Sequence, residues 1–217
     1  MSHDGFPIET KMAIKLYSWP SSSGTRIAWA LEELGVPYQY MELDAKKLEH
    51  RTPQYLAINP HGKVPALSDG ELTFFESGAI LLYLGDKYGV ERQLWPTGAG
   101  QARADAVCWS VWAMTELGNH MMQYLYHGPD TPFSYKPADR SKACATYNQS
   151  QFIRGLDALQ ARLQNREYLL GAFSLVDIPS ASWLLLGTML GIKLDSHPRV
   201  ADWLERCGER PACKRAR

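Results

Sequence analysis

Three short stretches hold the residues whose types and spacing suit chemistry. Ser21, Ser22 and Ser23 run into Gly24 and then into the apolar segment "TRIAWALEELG". Hydroxyls and unpaired N–H groups at the front of a helix suit an anion, whether phosphate, carboxylate or thiolate. In "HGKVPAL", Pro65 interrupts a strand-like run, removes a ladder donor and leaves an unpaired edge beside Val64. In "FFESGAILLYL", Glu76 and Ser77 stand before an apolar helix. A carboxylate there suits an ammonium group, and a hydroxyl at a helix N-terminus suits a carboxylate. The same residues also have plainer uses. Ser23 or Thr25 suits the cap of the first helix, Ser77 the cap of the later one, and Glu76 a solvated charge.

The elements that must position these residues come in two blocks. Residues 12–89 alternate strand and helix signals in the order β-α-β-α-β-β-α. "MAIKLY" has period-two apolarity, and Ile27, Trp29, Ala30, Leu31 and Leu34 form a helical stripe stopped by Gly35. "YQYMEL" reads as a strand and "TPQYLAI" as a short helix with Pro53 in its first turn. Asp69-Gly70 joins two strands, and the helix after Glu76 ends near Gly89. Residues 90–97 read as a linker, and residues 98–217 show helix signals only. There the second long helix buries Ala145, Gln149, Phe152, Leu156, Leu159 and Leu163, and "SLVDIPSASWLLLGTML" is apolar nearly all round. In "FSLVDI", Ser174 and Asp177 form a capping box, Pro179 is expected to kink the helix, and the last helix is expected to break at Gly208. The fold class is an α/β thioredoxin-like N-terminal domain followed by an all-α helical bundle. Small ligands commonly bind in the cleft between two such domains.

Composition narrows the function classes. The formal charge of zero argues against nucleic acid or anionic membranes as partners. No apolar run reaches membrane-spanning length, and residues 1–11 read as a loose extension without a secretion signal. Cys108, Cys144, Cys207 and Cys213 are scattered, as in a protein kept reduced. His120 and His127 share no carboxylate pattern, so no metal is expected.

The two-domain order, with "NPHGKVPAL" followed by "FFESGAILLYL", resembles the cytosolic glutathione transferases from about Ala13 to about Pro211. Val64-Pro65 plus Glu76-Ser77 at this spacing is the most specific part. The resemblance implies glutathione as co-substrate, no metal, a homodimer and a cytoplasmic location. It implies a cis Pro65, with the Val64 backbone receiving the cysteinyl amide by strand addition. It also assigns the γ-glutamyl end to Glu76 and Ser77. His50 and Arg51 match a basic pair of plant phi-class members that meets the glycyl carboxylate, and Lys63 matches another contact there. His61 falls where the family often places an aromatic key for its partner subunit.

Phi and delta members carry the catalytic serine four residues before the arginine of the first helix, here Arg26, which gives Ser22. A nu-like register gives Ser23 and a theta-like one Ser18; the order is Ser22, then Ser23, then Ser21. Tyr17 lies in a strand and no cysteine precedes Cys108, which disfavours the tyrosine- and cysteine-type classes. A hydroxyl suffices without a base. Lowering a thiol pKa by about two units needs roughly 2.7 kcal/mol. A hydrogen bond to a charge gives about 1.5–3 kcal/mol, and a helix N-terminus up to about 2 kcal/mol. Trp19, Trp112, Tyr124 and Phe133 are candidates to line an electrophile pocket, with Trp109 and Met114 nearby in sequence. The implied activity is conjugation of glutathione to a small apolar electrophile. The alternatives are a nu-like glutathione-dependent disulfide reductase or peroxidase, and a non-catalytic ligand-binding or docking module.

Overall fold

The computed structural model describes residues 14–216. The expected extension over residues 1–11 lies outside the described residues, as do Met12 and Ala13 of the first strand. The described elements follow the expected order. β1 is Ile14–Ser18, α1 Thr25–Leu34, β2 Tyr38–Glu42, α2 Pro53–Leu56, β3 Ala66–Asp69, β4 Leu72–Phe75 and α3 Ser77–Leu84. A wider helical turn, Gly85–Gly89, extends α3 to its expected end. The helical block holds α4 Gln101–Trp112, α5 Gly118–His127, α6 Lys142–Arg162, α7 Asp177–Met189, α8 Pro198–Glu209 and α9 Pro211–Arg215. A wide turn, Ala113–Leu117, makes α4 and α5 one continuous rod.

The sheet has the order β2-β1-β3-β4, with β1 parallel to β2 and antiparallel to β3. Its register decides the position of the site. Tyr17 pairs with Ala66, and Ala66 with Phe75. Continuing past these pairs brings Ser18-Trp19, Pro65-Val64 and Glu76-Ser77 to one end of the sheet.

α1 is buried almost all round, not along a stripe. It packs against α3 of its own domain and against α7 and α9 of the helical block. Glu33 accepts two bonds from Arg210, at 2.6 and 2.7 Å, and Glu32 accepts one from Arg215 at 2.6 Å. These pairs fasten the last helix to the first. In the connector, Trp95 is buried against Gly85 and donates to Asp86 at 2.8 Å, so this segment is anchored.

Several local expectations need correction. Pro65 lies outside β3, which starts at Ala66, so no ladder donor is lost within the strand. Asp69 ends β3, and the tight turn is Gly70-Glu71, with φ of +62° at Gly70. Pro179 is the third residue of α7, where its missing N–H is one of the helix's unpaired donors, so it has no reason to kink the helix. The last helix breaks at Arg210-Pro211, not Gly208, because the proline ends the N–H ladder. Half of the capping box forms as expected. Asp177 accepts from the Ser174 N–H at 3.0 Å, but the Ser174 hydroxyl donates to the same carboxylate instead of capping α7.

Candidate active site

The serine loop is built around two hydroxyls and a close approach. Ser22 Oγ donates to the Trp19 carbonyl at 2.7 Å and accepts from the Gly24 N–H at 3.1 Å. The fully buried Ser18 Oγ lies 2.8 Å from Ser22 Oγ. A Cβ on Gly24 would stand 1.9 Å from Ser18 Oγ, which explains the glycine. Gly24 is the N-cap of α1 and no side chain caps it, so neither Ser23 nor Thr25 has the capping role. Ser21 is exposed with a φ of +58°. Ser23 is half-buried, and its hydroxyl has no hydrogen-bond partner among the described residues. Tyr17 stays in β1, edge-on to Tyr55 at 6.2 Å.

Beside the loop lies the Val64-Pro65 peptide bond, which is cis. The N–H and C=O of Val64 make no hydrogen bond among the described residues. This edge is fixed from behind. The Lys63 carbonyl accepts from Tyr55 Oη and Asn59 Nδ2, each at 2.6 Å. Burial pushes the Tyr55 pKa up to about 12, so this donor keeps its proton over the working pH range. Sequence reasoning missed Tyr55 and Asn59. Their only signal is position: Tyr55 lies in the short helix α2, and Asn59 opens the "NPHGKVPAL" stretch that follows it.

His50, Arg51 and Lys63 line the outer side of this edge. Gly62, with φ of +57°, allows the close fit: a Cβ there would meet the His50 carbonyl at 2.8 Å and Arg51 Nη1 at 2.9 Å. Trp19 packs edge-on to His50 at 5.3 Å, and the buried His50 Nδ1 has no partner among the described residues.

On the far side of Pro65, Glu76 has a φ of +67°, a conformation that costs a side-chain residue about 1–3 kcal/mol and gathers at functional sites. Glu76 is the N-cap of α3 and Ser77 its first residue, so Ser77 does not cap the helix. The Ser77 side chain is buried while that of Glu76 is exposed, and the leading N–H groups of α3 open beside both. A carboxylate, a hydroxyl and two helix N-termini thus surround one unpaired backbone edge. The arrangement suits an extended zwitterionic peptide carrying one further anionic atom.

The expected pocket residues have different neighbours. Trp19 borders the loop, whereas Trp112 packs on Trp109 at 5.2 Å and toward Gly155 of α6. Tyr124 accepts from Gln149 and covers Gly128, and Phe133 is 59% exposed in the loop between α5 and α6. Two surface hollows, of about 290 and 330 Å³, lie on the helical block and include none of the site residues.

Residues 12–86 match the N-terminal domain of glutathione S-transferases, and residues 122–211 match their C-terminal domain. The chain belongs to the glutathione S-transferase family. It is 32% identical to the disulfide-bond oxidoreductase YfcG of Escherichia coli, covering 94% of both chains. It is equally identical, at 32%, to glutathione S-transferase 4 of maize, covering 94% of this chain and 91% of that one. A solved glutathione transferase of Burkholderia graminis, with two glutathione molecules bound per subunit, is 30% identical with a TM-score of 0.83, covering 97% of this chain and 89% of that one. The four-stranded mixed sheet followed by a helical domain is the family's fold.

Proposed function

We propose that this family member binds glutathione, ionises its thiol and adds the thiolate to a small hydrophobic electrophile. The unpaired Val64 edge carries this reading, because it meets the serine loop and the Glu76-Ser77 turn at one end of the sheet. In this reading Val64 pairs with the cysteinyl amide beside Pro65. Glu76 takes the γ-glutamyl ammonium, Ser77 and the α3 N-terminus take its carboxylate, and His50, Arg51 and Lys63 take the glycyl carboxylate. The sulfur then faces the N-terminus of α1.

Among the serines we place Ser23 ahead of Ser22 and Ser21, whereas the phi- and delta-class register that the resemblance implies puts Ser22 first. The Ser22 proton is already given to the Trp19 carbonyl. Ser23 has no partner to give up among the described residues. Ser22 and Ser18 hold the loop in shape. We further propose a cytoplasmic homodimer, with His61 and the 36% exposed Phe75 beside it, at 5.6 Å, as contacts to the second subunit.

A second reading, glutathione-dependent disulfide reduction, is favoured by the similarity to a disulfide-bond oxidoreductase and to a structure with two glutathiones. An aryl halide assayed beside hydroxyethyl disulfide separates the two. Turnover of the halide supports conjugation, and turnover of the disulfide alone supports the second reading. Glutathione binding without either turnover means a carrier.

A further inference from the structure

Arg26, the second residue of α1, is 5% exposed and forms no ion pair among the described residues. Its Nη1 donates to Met114 Sδ at 3.0 Å, and its guanidinium lies 4.0 Å from the centre of the Trp183 ring. Its Nε is buried with no acceptor among the described residues.

The carboxylates on the surrounding elements are engaged elsewhere or exposed. Glu32 and Glu33, at the far end of α1, hold Arg215 and Arg210. Asp177, at the start of α7, accepts from Leu169, Ser174 and Trp203. Glu116, in the turn that carries Met114, is exposed and faces His120 at 3.8 Å. Asp105 of α4 takes Arg162, and Asp86 takes Trp95 and Arg103. Glu76 points to solvent at the front of α3. Burial lowers the Arg26 pKa to about 9, which leaves it charged at neutral pH. A thioether and a ring face replace little of the hydration that such a charge gives up.

The residues around the charge adjoin the candidate site. Arg26 follows the serine loop by two residues, and Met114 Cγ lies 3.3 Å from where a Cβ on Gly78 would stand, directly after Ser77. Arg26 thus lies in the first turn of α1, and its sulfur partner packs beside the first turn of α3. A paired arginine would cancel much of its own field, whereas this one projects it into a low-dielectric interior. We infer that Arg26 is a positioning residue whose uncompensated charge acts from behind the groove, favouring the thiolate of bound glutathione. This inference rests on the glutathione reading above.

The test is the pH profile of thiolate absorbance in full-length protein saturated with glutathione. Arg26→Met is expected to keep or raise the melting temperature, because an apolar side chain replaces a lone buried ion. The same variant is expected to raise the bound thiol pKa by about one unit, a tenfold loss of thiolate at lower pH. Arg26→Lys restores the wild-type profile. Met114→Glu neutralises the charge in place and also raises the thiol pKa, while Met114→Gln leaves it unmoved; this pair decides the matter if Arg26→Met does not fold. A folded Arg26→Met or Met114→Glu protein with the wild-type thiol pKa overturns the inference alone. Wild-type protein that leaves the thiol at its solution pKa overturns the proposed function and the inference together.

Discussion

The sharpest test of the proposed thiol activation compares Ser23→Ala with Ser22→Ala. Ser22 Oγ already donates to the Trp19 carbonyl at 2.7 Å. To serve a thiolate it must exchange a neutral bond of about 0.5–1.5 kcal/mol for a charged one of about 1.5–3 kcal/mol. The net gain is roughly 1 kcal/mol, less than one pKa unit at about 1.36 kcal/mol per unit. Ser23 gives up nothing, so its full charged bond shifts the thiol by about one to two units. Ultraviolet titration of bound glutathione reads this directly. Ser23→Ala should raise the thiol pKa by about one to two units and slow conjugation at neutral pH about tenfold or more. Ser22→Ala should shift the pKa by less than one unit. It should instead lower the melting temperature by a few degrees, because the Gly24 N–H loses its acceptor at about 1–3 kcal/mol. If Ser22→Ala raises the thiol pKa by two units while Ser23→Ala leaves it unchanged, the assignment is wrong.

Glu76→Ala should weaken glutathione binding about tenfold by calorimetry with little loss of thermal stability, since its side chain is exposed and makes no hydrogen bond or ion pair among the described residues. Asp177→Ala should be severely destabilising. It strands the N–H groups of Leu169 and Ser174 and the Trp203 indole in the core, at about 1–3 kcal/mol each, so a melting scan should show a drop of roughly 6 °C or more. Asp69 governs acid stability. Burial pushes its pKa up, but hydrogen bonds from Lys87, Tyr88 and Tyr83 outweigh that and hold it below the ordinary carboxylate value. A depressed carboxylate stabilises the fold above its unfolded pKa and loses that contribution as pH falls through the folded one. Denaturant midpoints should therefore fall below about pH 4 in the wild type, and Asp69→Asn should flatten that slope.

Local chemistry in the chain was enough to determine the element order, the Gly35 stop of the first helix, the unpaired Val64 edge and the Glu76-Ser77 turn. Each depends on residues close in sequence: a glycine free to adopt positive φ, a proline next to the end of a strand, an apolar period. Caps and breaks were less legible. Gly24, not Ser23 or Thr25, is the cap of α1, and Ser18, a strand residue brought alongside, leaves no room there for any side chain. Pro179 proved harmless because α7 starts two residues before it.

Which serine keeps a free hydroxyl among the described residues was decided by the path of the folded loop, which brings the Trp19 carbonyl and Ser18 onto Ser22 and leaves Ser23 aside. Tertiary packing also set Tyr55 and Asn59 behind the Lys63 carbonyl, and left Arg26 buried between two domains with no anion paired to it among the described residues. Periodicity reports which side of a helix avoids water. It carries no information about which partner from a distant part of the chain fills the space, and at this site those partners set the charge and the available protons.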